Sequence, residues 1–110
     1  MKKEYRIRKN EEFSSIIKLK NTYGSRTFVV YAAPRKLDHS RVGLSVSKKL
    51  GDAVDRNKIK RQVREMVHNI YDFDASNIDI IIIVKKNYLD NDFKTNQADL
   101  ELIIKKAIIK

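Results

Sequence analysis

The chain has 110 residues, 24 Lys and Arg against 14 Asp and Glu for a net charge of +10, and no cysteine, which fits one basic domain (residues 1–110) with a modest core. The missing thiols exclude disulfides, cysteine-based zinc sites and thiol catalysis. The first ten residues lack the apolar stretch of a signal peptide and the longest apolar run, residues 80–84, cannot span a bilayer, so a soluble, cytoplasmic protein is expected.

Residues 1–9 read as basic and irregular, anchored by Tyr5 and Ile7. Asn10 is expected to cap a helix through about Lys20, with Glu11 and Glu12 in its first turn and Phe13, Ile16, Ile17 and the stem of Lys20 at helical spacing. Residues 21–25 read as a turn around Gly24. Residues 26–33 form an expected strand with Phe28 and Val30 on one face and Val29 and Tyr31 on the other. A polar loop over residues 34–40 carries the only proline. In a second strand, residues 41–47, Val42, Leu44 and Val46 are expected inward and Arg41, Gly43, Ser45 and Ser47 outward.

Residues 51–71, GDAVDRNKIKRQVREMVHNIY, carry the clearest pattern. At about 100° of rotation per residue, Ile59, Val63, Met66, Val67 and Ile70 gather on one arc of a helix. Arg56, Asn57, Lys60, Arg61, Arg64 and His68 fall on the neighbouring arc, with Glu65 rotated off it. Gly51 breaks the preceding segment, Asp52 caps, and Asp55 suits the positive end of the helix. A solvated face is the ordinary fate of surface cations. Here they are mostly Arg, uninterrupted by acids, and Arg makes forked contacts to phosphate. The charge is also unevenly placed: residues 1–70 carry net +11 and residues 71–110 net −1. The apolar arc offers no Trp or Phe to anchor in lipid, so nucleic acid is favoured over a membrane surface.

Residues 72–77 read as a polar connector and 78–84 (IDIIIIV) as a central strand covered on both faces. After a loop over residues 87–96, Thr95 or Asn96 is expected to start a last helix with Leu100, Ile103, Ile104, Ala107 and Ile108 as its core stripe. The order is α-β-β-α-β-α, with room for a short extra strand near the second.

The block Arg56-Asn57-x-x-Lys60-Arg61-x-x-Arg64-Glu65, preceded by Gly43-Leu44-Ser45-Val46-Ser47-Lys48-Lys49 and Gly51, resembles the bacterial ribonuclease P protein component, and the resemblance runs over about residues 5–107. It implies an α+β sandwich similar to the second domain of ribosomal protein S5, with a left-handed βαβ crossover around the basic helix, against the usual hand. It also implies the accessory subunit of an endonuclease whose RNA subunit hydrolyses the 5′ leader from precursor tRNA with bound Mg²⁺. No catalytic residue is then expected in this chain, and no membrane or further protein partner. Carried over by position, Arg56, Asn57, Lys60, Arg61 and Arg64 would contact the RNA subunit and substrate, with Lys48 and Lys49 extending the patch. Phe13, Val29 and Tyr31 match a cleft for the single-stranded leader. Ile17 stands where many members have a second aromatic, so plain apolar contact replaces stacking there. Without the resemblance, a lone Phe13 reads more readily as core.

Other chemistry finds little support. No serine or cysteine is paired with His39 or His68 by local spacing, Asp72 and Asp74 make a sparse metal pair, and the three separated glycines form no phosphate loop. Two alternatives stay open: a ribosomal or other structural RNA-binding domain, and a stand-alone metal-dependent nuclease, which the lack of a carboxylate cluster beside the basic face disfavours.

Overall fold

The computed structural model describes residues 2–109; residues 1 and 110, the two ends of the expected domain, lie outside the described part. Three helices, α1 (Asn10–Lys18), α2 (Ala53–Ile70) and α3 (Phe93–Ile109), accompany four strands, β1 (Thr22–Gly24), β2 (Phe28–Pro34), β3 (Val42–Val46) and β4 (Ile78–Val84). The sheet order is β1-β2-β4-β3. β1 and β4 run antiparallel to β2. β3 lies parallel to β4 and reaches it through α2, so the expected βαβ unit is built around the basic helix.

Strand alternation divides the apolar side chains between two faces. Phe28, Val30, Ile80, Ile82 and Val84 meet Val63, Met66 and Val67 of α2 and Leu100 and Ile104 of α3 in the main core. Each such fully buried side chain contributes roughly 1.5–3 kcal/mol. On the opposite face Ile7, Ile16, Ala33 and Ile81 form a smaller cluster beneath α1 and the N-terminal segment. β4 is interior to the sheet and buried along most of its length, as its apolar run predicts.

Several local expectations are corrected. Asn10 is the first helical residue rather than the cap, Lys9 occupies the cap position without a side-chain bond, and α1 stops at Lys18. Lys20 takes a positive φ of 55° outside the helix. The expected turn around Gly24 is a strand, β1, so the extra strand precedes the two expected ones. α3 begins at Phe93, where Asp92 Oδ1 accepts from the Thr95 N–H at 2.8 Å, and Ile108 is exposed rather than core. The polar loop before β3 ends in a buried residue: Ser40 bonds the Tyr71 hydroxyl at 2.6 Å, and Tyr71 OH donates to Ser76 Oγ at 2.7 Å. Burial pushes the Tyr71 phenol up from its ordinary value.

The largest correction concerns Arg41, expected outward but only 8% exposed. Its Nη2 reaches Glu12 Oε2 at 2.7 Å and Asp79 Oδ2 at 3.1 Å, and its backbone N–H donates to Asp79 Oδ1 at 2.9 Å. The hydrogen bond from Arg41 holds the Glu12 carboxyl below the usual carboxylate range against the opposing effect of burial, and the same bond raises Arg41. The start of this row, Arg41 and Gly43, lies under Glu12 and Phe13 of α1 rather than in solvent, so the Arg41 charge needs partners.

Candidate nucleic-acid interface

The basic helix is aimed by its own N-terminus. Gly51 sits at φ 134°, a conformation L side chains rarely adopt, and a Cβ there would lie 2.5 Å from Asp55 Oδ2. The chain can therefore turn sharply into a capping box: Asp52 Oδ1 accepts from the Asp55 N–H at 3.0 Å and Asp55 Oδ2 from the Asp52 N–H at 3.3 Å. Donation from the Asp55 N–H holds the Asp52 carboxyl below its ordinary value. Gly51→Ala is expected to cost about 1–3 kcal/mol of stability, the scale of one strained backbone site. A urea-unfolding midpoint equal to that of the unaltered chain would contradict this.

Past the cap, Ile59, Val63, Met66 and Val67 are buried, and Ile70 is half-buried. Fixing that arc against the sheet turns the neighbouring arc outward. Asn57, Arg61 and His68 are exposed, and Arg56, Lys60 and Arg64 half-buried. Arg56 Nε donates to the Asp52 carbonyl at 3.3 Å. Among the described residues, no ion pair engages any cation of this face. Burial pushes the Arg64 guanidinium down from its ordinary value, helped by the nearby charge of Arg6. Lys48 and Lys49 are exposed in a 3-10 turn just before α2, and Ser47 caps that turn by accepting from the Lys49 N–H.

The structure brings Phe13, Ile17 and Tyr31 together, half-buried around the Ile7, Ile16, Ala33 and Ile81 cluster. Val29 stands in the next row of the sheet, paired with Ile83. The Phe13 ring rests on the backbone of β3: a Cβ on Gly43 would lie 2.7 Å from Phe13 Cζ. A glycine is therefore what allows the ring so close to the sheet. Ile83, hidden from sequence reasoning inside an apolar run expected to be covered on both faces, is half-buried on this side and belongs to the same surface. Arg8, Asn10, Phe13, Ser14, Leu44 and Ser45 border an open hollow of about 500 Å³ at the end of α1.

His39 and Asp72 have structural partners. Tyr5 packs edge-on against His39 and stacks on Phe73. Asp72 Oδ1 closes a turn by accepting from the Asp74 and Ala75 N–H groups. No group of three or more His, Cys, Asp or Glu among the described residues could hold a metal ion, and no helix among them is long and apolar enough to cross a membrane.

A mixed four-stranded sheet that carries an unpaired cationic helix on one side and a half-open apolar cleft on the other defines a small basic α+β domain. The sequence model of the Ribonuclease P family matches residues 1–108. The ribonuclease P protein component of Shouchella clausii is 43% identical over 108 residues, which cover 97% of this chain and 88% of the relative. That of Streptococcus pneumoniae is 42% identical over 86 residues, covering 78% and 70%. Among solved structures, a Staphylococcus aureus RNase P protein superposes with a TM-score of 0.81 at 43% identity over 94% of each chain. The RNase P protein from Thermotoga maritima gives 0.74 at 31%, over 89% of this chain and 94% of that one. The chain belongs to the ribonuclease P protein family, the protein component of the ribonuclease P endoribonuclease.

Proposed function

We propose that this chain binds the catalytic RNA of ribonuclease P through α2 and grips the 5′ leader of precursor tRNA in the cleft beside α1, so aiding endonucleolytic removal of the leader in the cytoplasm. The observation that carries this reading is the unpaired cationic arc of α2. Arg56, Asn57, Lys60, Arg61 and Arg64, with Lys48 and Lys49, are the groups that meet phosphate. Arg supplies two parallel donors to a phosphate, and each neutralised phosphate releases counterions. On the other surface Phe13, Ile17, Val29 and Tyr31 offer apolar and aromatic area to unpaired bases, a mode of contact that tolerates any leader sequence.

Catalysis falls to the RNA subunit, whose bound Mg²⁺ supplies the chemistry of hydrolysis. Among the described residues no group of three or more His, Cys, Asp or Glu is placed to hold Mg²⁺, and Asp52 and Asp55 at the start of the basic helix are engaged with each other's backbone N–H groups. The protein's part is electrostatic. A basic domain between two polyanions screens their repulsion and lowers the Mg²⁺ needed to bring them together.

The test is cleavage of a precursor tRNA with a 5′ leader at low Mg²⁺ and moderate salt, comparing protein alone, bacterial ribonuclease P RNA alone, and the two combined. Stimulation only in the mixture is the expected result. Cleavage by protein alone would reveal a nuclease site in this chain. Absence of stimulation would favour a structural RNA-binding domain without a role in processing.

A further inference from the structure

A second hollow, of about 190 Å³, lies between the N-terminal segment, β3 and α2. Arg6, Arg8, Lys60 and Arg64 surround it over a floor of Val42 and Leu44, and no acidic residue lines it. The N-terminal segment is held there by backbone pairing: Arg6 bridges to Val42, the Ile7 N–H donates to the Val42 carbonyl at 3.0 Å, and the Ile7 side chain is buried. Arg6 Nε is buried without a hydrogen-bond partner. A buried donor left unpaired is unfavourable, and cations gathered around one hollow repel one another. An anion with several acceptor oxygens entering the hollow offsets that repulsion. The hollow also adjoins the larger one beside Phe13 at the start of α1, since Ile7, Arg8 and Leu44 line both.

We propose that this hollow is a phosphodiester site for the strand that occupies the adjoining cleft. This inference rests on the reading above that the cleft takes the leader. A single strand whose bases lie against Phe13 and Tyr31 passes its backbone along Arg8, and a phosphate enters among Arg6, Lys60 and Arg64. The guanidinium forks of Arg6 and Arg64 each present paired donors to its free oxygens. The site fixes the position of the strand without reading its bases.

The experiment uses the complex of this chain with ribonuclease P RNA and compares precursor tRNA with mature tRNA, for the unaltered protein and for a variant carrying Arg6→Gln and Arg8→Gln. The variant is expected to lose about tenfold of the preference for precursor over mature tRNA, and the salt dependence of precursor binding is expected to become shallower by about one to two phosphate contacts. Its affinity for ribonuclease P RNA should be unchanged. An unaltered preference would overturn the phosphodiester site while leaving the function proposed above intact. A loss of RNA-subunit affinity with the preference intact would reassign the hollow to that RNA and also overturn the proposal. If the unaltered complex shows no preference for precursor, the reading of the cleft fails and the site falls with it. In a separate arm, inorganic phosphate titrated onto the protein alone should shift the Nε–H resonances of Arg6 and Arg64. Such shifts alongside an unaltered leader preference would mean an adventitious ion only, against the proposal.

Discussion

Replacement of Arg41 by alanine is expected to lower stability by about 3–5 kcal/mol, the scale for removing one partner from a buried ion pair. The loss arises less from the missing bond than from what is left behind. Asp79 is 1% exposed and would lose the guanidinium beside it, leaving a buried carboxyl group without that partner. Thermal unfolding followed by circular dichroism should show a midpoint lower by on the order of 15 °C for a chain of this size, and a drop under 3 °C would refute the account. Acid gives a second check. The Glu12 carboxyl is held below its ordinary value by Arg41, so its contribution is present above the unfolded-state pKa near ~4.3 and is lost as pH falls through the lower folded-state value. The gap between the unaltered chain and a Glu12→Gln variant should therefore be full at neutral pH and close below about pH 4.

The second large effect is expected on binding. Converting Arg56 and Arg61 together to alanine should weaken affinity for ribonuclease P RNA on the order of 100-fold at moderate salt, about tenfold for each charge-assisted phosphate contact. The plot of log affinity against log salt should become shallower by about two. Neither side chain is buried or ion-paired, so the melting temperature should stay within a few degrees, which separates lost contact from lost fold. An unchanged salt slope would exclude these two arginines from phosphate contact.

The parts of this molecule that sequence makes legible are those where one physical demand acts alone. Along α2, core burial and charge occupy separate arcs, so both can be read from spacing, and the Gly51-Asp52 start is marked by backbone and capping chemistry. In β4 a run of isoleucines fits only an interior strand. Legibility fails where two demands meet. Arg41 follows the alternation rule for an outward position, yet that face is roofed by α1, and only Asp79 and Glu12, distant in sequence, make its burial tolerable. Ile83 is hidden by its apolar neighbours, although it faces the cleft. β1 is three residues long and ends in glycine, so its turn-like composition outweighs any strand signal. The basic hollow is invisible for another reason: Arg6 and Arg8 stand roughly fifty residues before Lys60 and Arg64 and meet them only because a backbone bridge docks the N-terminal segment on β3.

That bridge also bears on how copies of the chain behave toward one another. β3 lies at the margin of the sheet, and an open margin invites a second molecule to add its own strand and begin a growing aggregate. Here the first pairing position is already taken by the molecule's own leading segment, which brings Arg6 and Arg8 with it. Two such margins approaching each other would press like charges together before any backbone bond could form. The segment that lines the basic hollow thus also shortens the open margin of β3 and sets charge against edge-to-edge pairing.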